Sequence, residues 1–374
     1  MQKFIFVSIK QIFMEIRHDW KHEEVSKLYD MPLLDLVYKA AGVHRQFHDS
    51  KQVQISSLVS VKTGGCPEDC SYCPQAARYS TDVDAHKLMD PSDVIDQAKK
   101  AKDGGASRMC LGAAWREVKD NRDFDNVLEM VRGINEMDME VCCTLGMLND
   151  EQAQRLKDAG LYAYNHNIDT SEEKYEEIIS TRTFDDRLDT HKSVRKAGVS
   201  LCSGGIIGLG EEKKDRINML ITLANYAKHP ESVPINTLVP VEGTPLQDNE
   251  KVPSWDLIKM VSIARIMMPE SAVRLSAGRL ELSDEAQAMC FMAGANSIFA
   301  GETLLTTDNP EFQADKILFK NLGLNSKLPF ADGEQPVVNE RYKDNSAKAK
   351  MEAKVKAWKE EMAAKKKVSE KEAV

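Results

Sequence analysis

Three thiols stand within eight residues in Cys66-Pro67-Glu68-Asp69-Cys70-Ser71-Tyr72-Cys73, a stretch that Gly64, Gly65 and Pro74 keep from continuing as helix or strand. Thiolates this close in sequence are ligands for zinc or for an iron-sulfur cluster. The count of three decides what such a centre could do. Structural zinc and ordinary ferredoxin clusters take four protein ligands, yet the next cysteine is Cys110 and the nearest histidine is His86. Three thiolates on a cubane cluster leave one iron open, and an open position is where a metal centre works on a ligand. A zinc loop that borrows a distant fourth ligand is the alternative.

A second set of candidates is spread over strand-like segments, where successive side chains point to opposite faces. Cys110 lies between Met109 and Leu111, Arg274 between Val273 and Leu275, and Cys202 follows Leu201. In each case the aliphatic neighbours suit a helix-facing side and leave the Cys or Arg on the other. Of the adjacent pair Cys142-Cys143, Cys142 shares parity with Thr144, and Cys143 with Val141 and Leu145, so Cys142 is expected to face inward. Three inward thiols and an arginine could hold a second centre; equally, each Cys could pack as a small hydrophobe and Arg274 could be a buried charge partner. In Tyr164-Asn165-His166-Asn167-Ile168-Asp169, residues Asn165, Asn167 and Asp169 share one face, with amides and a carboxylate suited to ribose hydroxyls or a urea-like group. They could also merely shape a turn. The glycines of Gly204-Gly205-Ile206-Ile207-Gly208-Leu209-Gly210 permit close backbone approach to a ligand.

The elements that position these groups follow one rhythm. Residues 14–49 read as helical. Strand signals are then expected at 53–61, 108–113, 140–145, 161–169, 199–207, 233–239, 272–276 and 297–300, with helices between them. Thr170 with Glu173 forms a candidate capping box. Eight such units predict an α/β fold, a (β/α)8 TIM-type barrel over 51–324, with an N-terminal helical extension (1–50) and a C-terminal tail (325–374), helical or disordered. In such a barrel the thiol loop sits at the C-terminal strand ends, where active sites lie.

The chain has 374 residues, 42% of them hydrophobic, enough for a sizeable core. Its net charge of −9 and the lack of a basic stripe argue against nucleic acid. No apolar run reaches membrane-spanning length. Residues 1–13 are expected to lie ahead of the natural start at Met14. Eight cysteines without a small secreted framework indicate reduced thiols and a cytoplasmic protein.

The Cys-x-x-x-Cys-x-x-Cys spacing, with Tyr72 before the last Cys, resembles the radical S-adenosylmethionine superfamily. Within it, four stretches between about 32 and 324 resemble its biotin-forming, sulfur-inserting family. They are 66–75, 164–170, 202–210 and Val273-Arg274-Leu275-Ser276-Ala277-Gly278-Arg279, and Leu111-Gly112-Ala113-Ala114-Trp115 stands where many superfamily members carry Gly-Gly-Glu. The resemblance implies a sulfurtransferase. A 4Fe-4S cluster on Cys66, Cys70 and Cys73 would cleave S-adenosylmethionine to a 5′-deoxyadenosyl radical that takes hydrogen from dethiobiotin. A 2Fe-2S cluster on Cys110, Cys142, Cys202 and Arg274 would donate the sulfur. It further implies S-adenosylmethionine contacts from Tyr72, Asn167, Asp169, Arg187, Ile206 and Glu211, and dethiobiotin contacts from Asn165 and Asn236. No residue would act as a conventional acid or base. A flavodoxin or ferredoxin as reductant and a homodimer complete what the resemblance implies.

Overall fold

The computed structural model describes residues 15–301, 303–339 and 346–372. The expected start at Met14 lies outside the described residues. Two helices, α1 (His22–Tyr29) and α2 (Leu33–Phe47), open the chain; Pro32, which cannot sit inside a helix, divides the helical stretch read as one. There follow β1 (Gln52–Lys62), α3 (Pro91–Gly104), β2 (Arg108–Ala113), α4 (Arg122–Asn135), β3 (Glu140–Thr144), α5 (Asp150–Asp158), β4 (Ala163–Asn165), α6 (Glu172–Ile178) and α7 (Phe184–Lys196). The series continues with β5 (Ser200–Cys202), β6 (Gly205–Ile207), α8 (Lys213–Ala224), β7 (Ser232–Thr237), α9 (Ser254–Met267), β8 (Ala272–Leu275), α10 (Asp284–Met292) and β9 (Ser297–Phe299). Last come the hairpin β10 (Thr303–Leu304) and β11 (Thr307–Asp308), then α11 (Phe312–Leu322), β12 (Asn325–Ser326) and α12 (Ser346–Glu372).

The sheet closes because β1 pairs in parallel with both β2 and β9. β5 and β6 are two halves of one stave, each pairing with β7, so the barrel has eight parallel staves. The continuous strand read over 199–207 breaks at Ser203-Gly204. A Cβ on Gly204 would stand 1.9 Å from the Pro234 carbonyl oxygen, so the backbones cross there only because the side chain is missing. The strand read over 161–169 shrinks to Ala163–Asn165 because Asp169 turns the chain with φ of 67°. Ser171, not Thr170, accepts from the Lys174 amide and caps α6, while Thr183 caps α7.

The apolar ring between strands and helices holds Met109, Leu111, Val141, Cys143, Leu201, Val273 and Leu275, the outward set of the parity argument. Cys110 and Cys142 pack separately inside the barrel with Ala163 and Phe299. Under the barrel, residues 327–339 cross the N-terminal strand ends, with Phe330 N donating to Glu140 Oε1 at 2.8 Å and its ring set edge-on to Tyr162. The tail, left open between a solvated helix and disorder, is a helix docked on α3 and α4 through buried Met351, Val355 and Trp358. Among the described residues no helix is long and apolar enough to cross a membrane.

α11 is fastened to the barrel by a buried ion pair. Arg279, in the loop after β8, donates to both Asp315 oxygens at 2.5 and 2.7 Å and to the Phe299 carbonyl at 2.8 Å. Asp315→Ala would leave that guanidinium buried without its counter-charge, and is expected to cost about 3–5 kcal/mol, read as a shift in denaturant midpoint at constant slope. A loss below about 1 kcal/mol, the level of an exposed pair, would show that α11 does not depend on it.

Candidate active site

The thiol loop leaves the C-terminal end of β1 through Gly64, whose φ of 66° and tight packing exclude any other residue: a Cβ there would stand 2.7 Å from the Asp84 carbonyl oxygen. Its fold is set by Cys66 N donating to Gln75 O at 2.9 Å, Cys73 N to Cys70 O at 2.9 Å and Ala77 N to Cys66 O at 2.8 Å. The turn between α6 and α7 holds it from outside. Ser71 donates through both N and Oγ to Ile178 O at 2.9 Å, and Asp69 accepts from the Ser180 and Thr181 amides at 2.9 and 3.2 Å. Arg182 Nη2 donates to Cys70 Sγ at 3.5 Å. Burial raises all three thiols, pushing Cys70 up to about 12 and Cys73 up to about 11. A metal centre there must therefore displace protons, as thiolate ligation requires.

Deeper in the barrel a second thiol group is brought together by strand register. Cys110 pairs with Cys142 across β2 and β3, and Asn165 with Cys202 across β4 and β5. Arg274 pairs with Ser297. Its guanidinium donates to Ser297 Oγ at 2.9 Å, to Gln54 Oε1 at 3.1 Å and to Cys202 Sγ at 3.8 Å, and lies over the Phe299 ring. A hydrogen bond from the Cys142 thiol holds Cys110 below the usual thiol value, and Cys142, which keeps that proton, is pushed up to about 12. The three sulfurs thus perturb one another, and Arg274 and Arg108 are the nearby positive charges that favour ionisation. Below them Glu140 accepts from Arg108 Nε at 2.7 Å and Gln54 Nε2 at 3.0 Å. Cys143 and Cys290 are buried away from both groups.

One cavity of about 310 Å³ runs between the two thiol groups, touching Cys66, Cys70 and Cys73 as well as Cys110, Cys142 and Arg274. This is the size of a small-molecule site. Its wall carries the amides anticipated from the strand face. Asn165 spans Thr144 Oγ1 at 3.1 Å, Asn167 Oδ1 at 3.1 Å and Cys202 Sγ at 3.3 Å. Asn236 bonds Gly205 O at 3.0 Å and Ala277 N at 3.1 Å. The positive φ of Asp169, tolerated by Asp better than by most residues, lets its carbonyl accept from Ile206 N at 2.8 Å and its carboxylate pair with Arg187. Tyr72, Asn167, Arg187 and Ile206 also line the cavity. Glu211 does not: it accepts from Gly208 N at 2.9 Å and from Arg216 Nε at 2.7 Å, bracing the glycine turn from behind.

The donor sets fit iron-sulfur ligation, with three thiols in each group and a basic donor beside each. Sequence reasoning missed Gln54, Arg108, Glu140, Ser297 and Arg182. Arg108 and Glu140 share the parity of Cys110 and Cys142 on their own strands, and Gln54, between Val53 and Ile55, is flanked as Arg274 is, so parity could have found these three; Ser297, between Asn296 and Ile298, is not marked by it. Arg182 carries no such signal.

Two family models match the barrel region. Residues 60–224 match the model of the Radical SAM superfamily, and 234–325 that of the Biotin and Thiamin Synthesis associated domain. The chain is 60% identical over 324 residues to the biotin synthase of Cytophaga hutchinsonii, covering 87% of this chain and 96% of that protein. With the biotin synthase of Christiangramia forsetii it is 60% identical over 323 residues, 86% of this chain and 89% of the relative. Among solved structures, methylornithine synthase superposes with a TM-score of 0.70 at 18% identity, over 82% of this chain and 94% of that one, which speaks to the fold alone. Fold, thiol geometry and these relatives agree: the chain belongs to the biotin synthase family of the radical S-adenosylmethionine superfamily.

Proposed function

We propose that this chain is a cytoplasmic sulfurtransferase that converts dethiobiotin to biotin, with S-adenosylmethionine bound at the thiol loop. The observation that carries this reading is that one cavity touches both thiol groups, Cys66, Cys70 and Cys73 on one side and Cys110 and Cys142 on the other. Cys66, Cys70 and Cys73 would hold a 4Fe-4S cluster. When bound, that cluster and S-adenosylmethionine supply one-electron chemistry strong enough to break an unactivated C–H bond. Cys110, Cys142, Cys202 and Arg274 would hold a 2Fe-2S cluster that enters as the sulfur-bearing co-substrate.

The chain's own residues position and enclose. Asn167, Asp169 and Arg187 present polar groups to the S-adenosylmethionine side of the cavity, while Tyr72 and Ile206 offer apolar faces; Glu211 acts from behind by holding the turn at Gly208. Asn165 and Asn236 place amides, each both donor and acceptor, where a ureido ring would match them. Leu58 and Phe299 pack with Cys110 and Cys142 and keep that part of the cavity wall apolar, which excludes water from a reactive site. The barrel over 51–324 is the catalytic unit of this proposal, with an external electron donor of the flavodoxin or ferredoxin class and a homodimeric assembly.

Anaerobic purification, iron and sulfide analysis, and visible and EPR spectra of wild type, Cys70→Ala and Cys110→Ala test the two-centre reading. Each substitution is expected to remove a different cluster type, and each to abolish biotin formation from dethiobiotin, S-adenosylmethionine and a reductant. Spectra unchanged by Cys110→Ala would end the sulfur-insertion assignment.

The loop's anchorage has a pH signature. Burial alone would raise Asp69, but hydrogen bonds from Ser180 and Thr181 outweigh it and hold the carboxyl at about 2. Because the folded value lies below the unfolded one of about 3.9, this stabilisation is fully present above about pH 4 and is lost as pH falls towards the folded value. Asp69→Asn is expected to lose about 2 kcal/mol at neutral pH and to flatten the acid limb of stability against pH. An acid limb identical to wild type would refute the anchorage.

A further inference from the structure

Arg182 lies in the turn between α6 and α7, outside every motif of the thiol loop, yet it reaches the cavity wall with only 9% of its surface exposed. Its three nitrogens have separate tasks. Nη2 donates to Cys70 Sγ at 3.5 Å, Nε donates to Tyr175 Oη at 3.2 Å, and Nη1 stands 3.5 Å from Glu68 Oε1. Tyr175 is fully buried and also accepts from Arg187 Nε at 2.9 Å, so it blocks rotation of the Arg182 fork. The counter-charge is loose. Glu68 Oε1 has no hydrogen-bond partner and is shared with Arg116 at 3.7 Å, whereas Arg187 pairs directly with Asp169. Arg182 therefore holds an incompletely neutralised positive charge with an N–H aimed at sulfur.

We propose that Arg182 is a positioning residue that raises the reduction potential of the cluster held at Cys70, its N–H···S contact stabilising the electron that the reduced cluster carries. The proposal rests on the reading of Cys66, Cys70 and Cys73 as cluster ligands. Net charge and hydrogen bonds to ligating sulfurs are levers on iron-sulfur potentials, and a dry setting screens such a charge poorly. The planar fork matters because a lysine ammonium is a point charge that cannot serve Tyr175, Glu68 and sulfur from one fixed plane.

The test is an EPR-monitored redox titration of the anaerobically reconstituted full chain, with dithionite as reductant and no S-adenosylmethionine present. Arg182→Met is expected to lower the one-electron reduction equilibrium about tenfold, a midpoint about 59 mV more negative. Arg182→Lys should fall between it and wild type. Glu68→Gln, which removes the counter-charge, should shift the midpoint the opposite way. Unchanged midpoints in Arg182→Met and Glu68→Gln at full iron content overturn the proposal. If Arg182→Met holds no cluster, the other two variants decide: opposite shifts sustain it, and absent or same-sign shifts overturn it. A Cys70→Ser protein that keeps the wild-type reducible cluster would instead overturn the ligand reading underneath.

Discussion

The architecture turns on keeping charge inside a barrel. Barrel interiors of this kind are ordinarily filled by layers of branched aliphatic side chains, but here β1, β2, β3, β8 and β9 direct Gln54, Arg108, Glu140, Arg274 and Ser297 inward. A buried ion without a partner costs a large fraction of the stability of an ordinary domain. The interior is accordingly a linked system: Arg108 and Gln54 share Glu140, Gln54 and Ser297 share Arg274, and Arg274 reaches Cys202. The deep thiols therefore sit on a polar floor whose positions are mutually fixed.

A second system does the same at the other end of the cavity. The acidic pair Glu68-Asp69 ties the thiol loop to the Ser180-Thr181-Arg182 turn, while Asp169 pairs with Arg187, which shares Tyr175 with Arg182. A loop with three soft ligands and two glycines would otherwise have wide conformational freedom. Side-chain bonding to an element more than a hundred residues away in sequence restricts that freedom.

What could be read from sequence was what backbone periodicity controls. The alternation of strand side chains separated Cys142 from Cys143 and aligned Cys110, Cys202 and Arg274, because a two-residue period admits only two answers. The same rule would have added Gln54 and Glu140 had polar residues at strand starts been weighed with those further along. The break at Ser203-Gly204 escaped notice because it depends on the crossing β7 backbone, and Arg182 because its role depends on where a turn lands. α12 looked solvated from its lysines and glutamates, although Met351, Val355, Trp358 and Met362 recur at helical spacing and form its packed stripe.

The pairing of β1 with β9 joins the start of the barrel sequence to its end. All six thiols of the two groups lie on the chain before residue 203, whereas Arg274, Ser297 and the strands that shut the barrel follow it. The chain's first and last staves are thus neighbours, so the wall around the deep thiols is complete only when β9, the last of the eight to be reached along the sequence, lies against β1.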